Sequence, residues 1–383
     1  MGDAAVPRVV LAPDKFKGTL RAQDVAQAMQ RGIPSGVETV VLPIADGGDG
    51  SVDAALSAGW TPWSVDTVDA WDAPRRTTVA LSGTSAIVEV ADICGLGAMH
   101  PSPEEAAQAS SYGVGVVLRA LLERGATDVV LALGGSANTD AGAGMLRALG
   151  LRLLDASGAE VSGDARALTS VTTVDVGGLD PRLSDMRLTL ACDVNTPMVG
   201  PDGSAEMFAA QKGADAAMIR TLSAALSHLA SVAEPAFGRR GLSHRPGAGA
   251  AGGLGWAGML LGGAATSGAT VFLELLEAPA KLERARLVVT GEGRLDEQSL
   301  RGKAPCAVAE LARDTGIPAV AVVGRLDLPE TEPTPFLDVV AIDRIDPRCV
   351  DDPDLTRDLI AQATGGLVGR HLPVTTTKNG DIR

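Results

Sequence analysis

Aromatic residues are scarce in this chain of 383 residues, where phenylalanine, tryptophan and tyrosine together make up 3%. The chain therefore lacks the stacking platforms on which proteins bind single-stranded nucleic acid. Lysine and arginine number 33 against 47 acidic residues, which gives a net charge of −14. Because a phosphate backbone needs a basic surface, this charge argues against nucleic acid as a partner. Any phosphate chemistry must use a local group of basic side chains.

Cysteine and histidine are also rare, with four residues of each. The cysteines are far apart and form no CxxC pair, so neither a zinc site nor a disulfide framework is indicated, and a reducing, cytoplasmic location is expected. No histidine falls in a loop that follows a predicted strand. This distribution disfavours a catalytic triad and a histidine-dependent dehydrogenase.

Long hydrophobic runs are missing as well. The N-terminal sequence MGDAAVPRVVLAPD has no basic segment followed by an apolar core, so no signal peptide is expected. The most apolar later stretch, 250–265, is interrupted by glycines and is shorter than the roughly 20 residues of a membrane span. We expect it to form a helix packed inside the protein, with no membrane as partner.

Short apolar runs followed by polar, glycine-bearing loops recur along the chain, and most lead into a helical pattern. Five such runs end near Pro13, Ala45, Leu133, Ala191 and Thr290. This is the pattern of strand–loop–helix units in an α/β fold. Because ligands of α/β sheets bind at the carboxyl ends of strands, we expect these loops to meet in one cleft between two lobes.

The central part of the chain follows a different pattern. The segments 64–69, 76–82 and 85–91 alternate polar and apolar residues and are separated by turns with proline or glycine. Alternation of this kind predicts an antiparallel meander, which marks a second domain. The length of the chain also favours two or three domains over one.

The most informative segment is VVLALGGSANTDAGAGML, at 129–146. An apolar run of strand length opens into a glycine-rich loop with hydroxyl, amide and acidic side chains, and a helical pattern follows. Such a loop exposes backbone N–H groups at a helix N-terminus, where a phosphate can bind. A plain glycine turn between strand and helix is the alternative, because short glycine motifs also match by chance.

Two other glycine-rich stretches match known motifs without their context. The stretch 247–252 fits the dinucleotide fingerprint GxGxxG, but polar residues precede it in place of a strand, so close packing explains its glycines better than a nicotinamide site. The stretch 302–304 resembles the end of a Walker A loop, yet Glu297 replaces the first glycine and Ala304 lacks the magnesium-binding hydroxyl. A P-loop nucleotidase is therefore disfavoured.

The strand-end loops together carry many charges of both signs. Their acids are Asp14, Asp46, Asp140, Asp193, Glu292 and Asp296, and their bases are Lys15, Lys17, Lys212, Arg294 and Lys303. Phosphoryl transfer needs such a mixture, because carboxylates hold magnesium and orient the attacking hydroxyl while cations and backbone amides neutralise phosphate oxygens.

Five collinear motifs resemble those of the type 1 bacterial glycerate kinases, ATP-dependent enzymes that phosphorylate D-glycerate, mostly at the 2-hydroxyl. APDKFKGTL at 12–20 is similar to that family's APDSFKGSL, and ADGGDGSVDA at 45–54 is similar to its ADGGEGTVDA. GGSANTDAGAGML at 134–146 resembles GGSATNDGGAGML, GAGAAGGLG at 247–255 is shared, and GEGRLDEQSLRGKAP at 291–305 follows GEGRxDxQTxxGKAP.

The sequence also departs from that family's pattern. Lys15 replaces a serine, Asn138-Thr139 reverses the usual order, and Ala141 replaces a glycine. Asn195-Thr196 stands where Asp-Asn is common, which puts a direct metal role for position 195 in doubt.

The resemblance implies an α/β fold with two domains. One is a flavodoxin-like (Rossmann-like) parallel sheet built from both chain ends, at 1–60 and 281–383, and the other is an inserted mixed-sheet domain at 61–280. It implies ATP-dependent phosphorylation of D-glycerate to 2-phosphoglycerate with Mg²⁺ as cofactor, in a monomer or a homodimer. A kinase for the 3-hydroxyl or for another hydroxy acid, or a non-catalytic hydroxy-acid sensor, remains the alternative.

On this basis we assign site residues as hypotheses. Catalysis is assigned to Asp193, which would deprotonate the 2-hydroxyl, and to the clamps Arg294 and Lys303. Substrate binding is assigned to Asp14, Lys17, Asp46, Gly47 and Gly48, with Asp46 and Asp296 as magnesium ligands whose roles could be exchanged with that of Asp193. Nucleotide binding is assigned to Gly134, Gly135, Ser136, Asn138, Thr139 and Asp140. Asp14, Asp46, Asp49 and Asp193 could each instead simply favour a turn, and Lys15 could be a solvated loop cation.

Overall fold

The computed structural model describes residues 6–16, 18–329 and 331–372. Contacts divide the chain into two compact units. The terminal unit comprises Met1–Ala45 and Phe272–Arg383, and the inserted unit comprises Asp46–Val271. Each unit is described by itself below.

Strands and helices alternate through most of the chain. The strands of the described residues are β1 (Arg8–Pro13), β2 (Glu38–Val41), β3 (Thr61–Val68), β4 (Pro74–Ser82), β5 (Ser85–Glu89), β6 (Asp128–Ala132), β7 (Arg152–Leu154), β8 (Thr173–Asp175), β9 (Arg187–Ala191), β10 (Ala264–Thr266), β11 (Ala285–Leu295), β12 (Ala319–Leu326) and β13 (Asp338–Ala341). The α-helices are α1 (Ala22–Gly32), α2 (Ser51–Ser57), α3 (Val90–Cys94), α4 (Pro103–Gln108), α5 (Tyr112–Glu123), α6 (Ala143–Ala148), α7 (Ser204–Phe208), α8 (Ala216–Ala236), α9 (Leu254–Leu260), α10 (Gly268–Leu275), α11 (Ala278–Leu282), α12 (Ala304–Asp314) and α13 (Pro353–His371).

The terminal unit contains a parallel sheet with the strand order β2-β1-β11-β12-β13. Counted within the unit this is the order 2-1-3-4-5 of flavodoxin-like folds, so the predicted fold class is confirmed. Pro13 lies opposite Gly291 in the register of β1 and β11. Strand β11 continues to Leu295, past its predicted end near Thr290, so Glu292 and Arg294 lie in the strand and not in the loop after it. The loop after β1 therefore begins beside the last residues of β11 at the topological switch point, where such folds bind ligands.

Helices α1 and α13 pack together on this sheet. Val25, Ala28 and Met29 of α1 are buried with Ile360 of α13 in one apolar core. The two helices approach closely at Gly32, where a Cβ atom would lie 2.0 Å from a backbone carbonyl oxygen of α13. Only glycine permits this approach, which fixes the packing of the unit's first and last helices.

The inserted unit contains a mixed sheet with the strand order β3-β4-β5-β6-β9-β10. The pairs β3/β4 and β4/β5 are antiparallel, which confirms the predicted meander. The pairs β5/β6, β6/β9 and β9/β10 are parallel. One edge of this sheet therefore collects the carboxyl ends of four strands.

Two helical segments of the inserted unit are interrupted. Residues 103–124 form two helices, α4 and α5, with a break between them, because Ser111 uses its backbone N–H and its hydroxyl to bind the Asp140 carboxylate. The helix expected over 250–265 is reduced to α9, because Ala251, Gly252 and Gly253 adopt positive φ angles before it.

The division into units also differs from the predicted boundaries at 60/61 and 280/281. Helix α2 was expected in the terminal domain but belongs to the inserted unit. It packs on β4 and β5, and Glu89 at the end of β5 accepts hydrogen bonds from the first turn of α2. Because of these contacts, α2 belongs to the inserted unit, which begins at Asp46 and not at residue 61 as predicted.

Helix α8 is, among the described residues, the one helix long and apolar enough to span a membrane by length and composition. Leu222, Leu226 and Leu229 on one of its faces are buried in the core of the inserted unit. A packing face of this kind accounts for the apolar composition of the helix.

Candidate active site

The four parallel strands of the inserted sheet end level with one another. The register pairs Glu89 with Ala132, Ala132 with Ala191, and Ala191 with Thr266. The loops that follow these strands leave from a single edge and carry several of the predicted site residues. Carboxyl ends of adjacent parallel strands are the usual position of ligand sites in α/β proteins.

Two of the predicted loops are in direct contact in this unit. Gly134 donates its backbone N–H to the carbonyl of Gly47 at 3.1 Å, and a Cβ atom at Gly134 would lie 2.6 Å from the Cα of Gly48. A Cβ atom at Gly268 would lie 2.0 Å from the carbonyl oxygen of Asp46. The structure thus brings Asp46, Gly47 and Gly48 together with the start of the glycine-rich loop.

Asp193 lies at the same edge. Its Oδ1 accepts hydrogen bonds from the Ser267 hydroxyl at 3.1 Å and from the Gly268 backbone N–H at 2.9 Å. The residue is exposed, but surrounding protein atoms and the Asp46 carboxylate crowd its carboxyl group and raise the pKa of Asp193 to about 6. A carboxylate with this pKa is a stronger base than an ordinary aspartate and is still ionised at neutral pH.

The glycine-rich loop has an accessible beginning and a buried end. Gly135 is exposed and has a φ angle of 78°. Ser136, Asn138, Thr139 and Asp140 are all buried. A ligand can therefore reach the backbone at the start of the loop more easily than the side chains at its end.

The buried Asp140 side chain binds several backbone and side-chain groups in and around this loop. It is fully buried, and its two carboxylate oxygens accept five hydrogen bonds, from the backbone N–H groups of Ser111, Gly142 and Gly144, the Ser111 hydroxyl and the Asn138 side-chain amide. Asn138 also donates to the carbonyl of Ala251. The side chains of Asn138 and Asp140 are thus engaged within the protein, so we revise their predicted role from nucleotide contact to loop support.

The departure at Ala141 has a structural consequence. This alanine adopts a φ angle of 55°, a left-handed conformation that favours glycine, and it is fully buried. Its backbone N–H donates to the carbonyl of Gly252 at 2.9 Å. The glycines at 247–253 thus pack against the glycine-rich loop, as expected for close packing and not for a dinucleotide site. No strand leads directly into them, because a 3₁₀ helix at Leu242–His244 comes just before.

Lys212 was noted among the loop cations but was not assigned to the site. Its Nζ donates to the backbone carbonyl of Asn138 at 2.7 Å and to the Ser136 hydroxyl at 3.1 Å. The side chain is buried, and desolvation lowers the pKa of Lys212 to about 8. The sequence does not indicate this contact, because Gln211-Lys212-Gly213 stands out only as a polar segment near the start of a helical pattern.

Glu89 is a second residue that the sequence interpretation missed. Its carboxylate accepts the backbone N–H groups of Gly50 and Val52 at 3.1 Å each. Desolvation, assisted by the Asp49 carboxylate, raises the pKa of Glu89 to about 7. The one sequence feature that marks Glu89 is its position as an acidic residue at the end of an alternating strand. The structure shows that Glu89 holds the loop 46–50 through these hydrogen bonds.

In the terminal unit, Asp14 and Lys15 follow β1, and Glu292 lies near the end of the neighbouring strand β11. Asp14 is buried, and its Oδ1 accepts the backbone N–H of Lys15 at 2.6 Å. The Asp14 backbone N–H donates to the carbonyl of Gly291 at 2.8 Å. The second bond joins the start of the loop after β1 to strand β11 at the switch point. Lys17, which was predicted to bind substrate, lies outside the described residues.

Glu292 is as deeply buried at this switch point as Asp14, with 6% of each residue exposed. Its Oε1 has no hydrogen-bond partner among the residues that the structure describes. Desolvation raises the pKa of Glu292 to about 8, against the opposing effects of Ser299 and Lys303. The group is therefore protonated at neutral pH and can donate a hydrogen bond.

Replacing Glu292 with glutamine is expected to flatten the pH dependence of stability. Because its pKa is raised in the folded state, Glu292 contributes stability that is complete below about pH 4.5 and is lost as the pH rises through about 8. Glutamine does not titrate, so the melting temperature of Glu292→Gln relative to wild type should be higher at pH 8 than at pH 5. Calorimetry at both pH values measures this, and Glu297→Gln, an exposed side chain of the same loop, is the control. An equal difference at the two pH values would contradict the expectation.

Arg294 and Asp296 point toward other protein groups. Arg294 is exposed, and its Nε lies 2.7 Å from Asp327 and 3.6 Å from Asp296. Asp296 accepts the backbone N–H groups of Gln298 and Ser299 through Oδ1. To act as a clamp, Arg294 must exchange its surface ion pair for a ligand, which costs little because exposed pairs contribute about 0–1 kcal/mol.

Lys303 lies at the N-cap of α12 and is half-buried. Its charge acts on Glu292 and on Cys306. The structure thus places this predicted cation beside the carboxyl groups of the switch point, in the terminal unit.

The donor set is compatible with magnesium bound together with a nucleotide. Among the described residues there is no group of three or more His, Cys, Asp or Glu arranged to hold a metal ion. Magnesium needs no such group, because it is commonly held by one or two carboxylates together with substrate phosphates. Asp46, in the inserted unit, and Asp296, in the terminal unit, each carry hard oxygen atoms of the kind that magnesium prefers.

A separate cleft of about 530 Å³ lies elsewhere in the inserted unit. Trp71, Tyr112, Arg147 and Asp164 line it, and none of the predicted site residues does. The chemistry of the strand-end loops, and not the size of this cleft, therefore locates the candidate site.

Comparison with known proteins agrees with the resemblance seen in the sequence motifs. The model of the glycerate kinase family matches residues 9–350. The chain is 38% identical to glycerate kinase of Bacillus subtilis strain 168 over 83% of its length and 85% of the relative's length. It is 37% identical to glycerate 2-kinase of Escherichia coli K12, again over 83% of this chain and 85% of the other.

A solved structure agrees with this. The crystal structure of the proposed glycerate kinase 2 of Salmonella typhimurium LT2 is 31% identical and superposes with a TM-score of 0.81, covering 95% of this chain and 98% of the other. The expected family is thereby confirmed: the chain belongs to the glycerate kinase family.

Proposed function

We propose that this protein is a kinase that transfers the γ-phosphoryl group of ATP to the 2-hydroxyl of D-glycerate, giving 2-phosphoglycerate and ADP. The main structural support is the single edge of the inserted sheet at which Asp193, Asp46 and the accessible start of the glycine-rich loop lie together. Relatives named glycerate kinase and glycerate 2-kinase support the substrate and the position of transfer.

In the inserted unit, we assign Asp193 to orient and deprotonate the 2-hydroxyl. The hydrogen bonds from Ser267 and Gly268 to Oδ1 fix the carboxylate that we assign to accept the substrate proton. The backbone of Gly134 and Gly135 is assigned to the phosphates, because glycine allows a ligand to approach the main chain closely.

In the terminal unit, we assign Lys303 to neutralise charge on the transferring phosphoryl group and Arg294 to hold an anionic group of substrate. The transition state of phosphoryl transfer is loose and spreads negative charge over the phosphoryl oxygens, so positioned cations contribute more than the base does. The buried, protonated Glu292 beside Lys303 is a donor in the same place.

Magnesium, when bound with ATP, would neutralise part of the charge on the phosphate oxygens. We assign one candidate carboxylate ligand in each unit, Asp46 in the inserted unit and Asp296 in the terminal unit. Their backbone-donated hydrogen bonds keep one oxygen of each carboxylate oriented.

The test is a coupled assay that follows ADP formation with ATP, Mg²⁺ and D-glycerate. Turnover that requires glycerate and is abolished by chelation of Mg²⁺ supports the proposal, and phosphorus NMR of the product distinguishes the 2-phosphate from the 3-phosphate. Glycerate binding without ATP turnover would instead indicate a hydroxy-acid sensor. Turnover with another hydroxy acid in preference to glycerate would change the substrate.

Replacing Lys303 with alanine is expected to lower kcat by about 10²-fold or more, while the KM for glycerate rises less. The reason is that the charge of Lys303 acts mainly on the transition state, where removal of one stabilising donor costs about 10²–10³-fold. Steady-state kinetics with both substrates measures the two effects separately. Lys281→Ala, a lysine outside the strand-end loops, is the control, and an unchanged kcat in Lys303→Ala would remove Lys303 from this role.

A further inference from the structure

The contact between Lys212 and Ser136 is a feature of the inserted unit that the assignments above do not use. Lys212 is 5% exposed and Ser136 is 7% exposed, and the lysine Nζ donates to the serine Oγ at 3.1 Å. A second bond from Nζ to the carbonyl of Asn138, at 2.7 Å, fixes the ammonium group behind the glycine-rich loop. Burial of an ammonium group is costly unless hydrogen bonds and an opposite charge offset it, and both are found here.

The chemistry of this contact directs the Ser136 hydroxyl. A hydroxyl group has one proton to donate, and an ammonium group can only donate. Because Oγ accepts from Lys212, the Ser136 proton must point elsewhere, and among the described residues no acceptor takes it. The bond from a charged donor also polarises the hydroxyl, which makes it a stronger donor.

The surrounding charges keep Lys212 cationic at neutral pH. The fully buried Asp140 carboxylate stabilises the ammonium form, and the thiol of Cys94, with a pKa raised to about 12 by desolvation, remains neutral. Desolvation lowers the pKa of Lys212 to about 8, so the ammonium form is lost above that pH.

We propose that Ser136 donates its hydroxyl proton to an anionic oxygen of a bound substrate and that Lys212 is the positioning residue that polarises and aims it. This inference rests on the proposed function for the identity of the substrates. The anionic oxygen belongs either to the ATP phosphates or to the glycerate carboxylate, and Ser136 lies directly after the glycines assigned to the phosphates.

The experiment compares Ser136→Ala, Lys212→Met and the double variant by steady-state kinetics at pH 7. Each single variant should raise the KM of one substrate by roughly tenfold to a hundredfold, as expected for the loss of a hydrogen bond to a charged group. The double variant should be no worse than the more impaired single variant, because the two residues act as one unit. A raised KM for ATP identifies phosphate as the acceptor, and a raised KM for glycerate identifies the carboxylate.

The pH profile provides a readout that a merely structural lysine would not change. In wild type the affected KM should rise above about pH 8 as Lys212 loses its proton, and in Ser136→Ala it should stay flat. Ser231→Ala, an exposed helix serine of the same unit, is the matched control. Multiplying effects in the double variant, or unchanged KM values in Ser136→Ala, would overturn the proposal even if Lys212→Met fails to fold.

Calorimetric titration with ADP and with glycerate separates this proposal from the proposed function. If the chain does not turn over glycerate, a weaker binding of ADP by Ser136→Ala than by Ser231→Ala still supports the Ser136 donor. Equal binding of both probes by both variants would overturn it.

Discussion

Asp193→Asn is expected to lower kcat by about 10²–10⁴-fold, the usual contribution of a general base, while the protein remains folded. Asparagine can still accept the Ser267 and Gly268 hydrogen bonds through its carbonyl oxygen, but it cannot take a proton from the substrate. Because the pKa of Asp193 is raised in the folded state, its ionised form is disfavoured there, so the melting temperature of the variant at pH 8 should equal or exceed that of wild type. Steady-state kinetics and calorimetry measure the two effects.

The pH dependence of activity tests the same assignment without removing the base. Wild-type kcat/KM should fall about tenfold per pH unit below a midpoint near 6, because protonated Asp193 cannot act as a base. Ser267→Ala removes a hydrogen bond that lowers the pKa of Asp193, so it should move the midpoint upward. A midpoint that does not move, together with near-normal kcat in Asp193→Asn, would assign the base to another residue.

Much of this fold could be predicted because its strands are short, apolar and followed by glycine-bearing loops. The run ending at Ala132 and the run ending at Ala191 both showed this pattern, and both became neighbouring parallel strands. The alternation in β3, β4 and β5 likewise indicated their antiparallel pairing. Local periodicity is enough to locate elements of this kind.

The support of the site could not be predicted in the same way, because it depends on contacts between distant segments. Glu89 contacts the loop at Gly50, and Lys212 reaches Ser136 across 76 positions of sequence. The Lys212 contact leaves no periodic or motif signal in the chain, and the position of Glu89 at the end of an alternating strand does not reveal its partner. For the same reason Asp140 was assigned to the nucleotide, although its carboxylate is committed to five internal donors.

Asp140→Ala is expected to destabilise the inserted unit by on the order of 3–5 kcal/mol, or to prevent its folding. The substitution leaves buried donors of Ser111, Gly142, Gly144 and Asn138 without their acceptor, and each such group costs about 1–3 kcal/mol when burial is complete. It also removes the anion that faces the buried Lys212. All four tryptophans, at 60, 63, 71 and 256, lie in the inserted unit, so tryptophan fluorescence during urea unfolding reports on this unit alone.

The matched control is Asp155→Ala, in the same unit. Asp155 also accepts several hydrogen bonds through one carboxylate oxygen, from the backbone and hydroxyl of Ser157 and from the backbone of Ala159, but it does so in a solvent-accessible turn. Water can replace those bonds, so the midpoint of urea unfolding should change far less than in Asp140→Ala. Ser111→Ala, which removes the hydroxyl donor and keeps both the backbone donor and the Asp140 carboxylate, should fall between the two. Comparable midpoints for Asp140→Ala and Asp155→Ala would show that burial of the Asp140 network is not what holds the glycine-rich loop in place, and its assignment to direct nucleotide contact would then be restored.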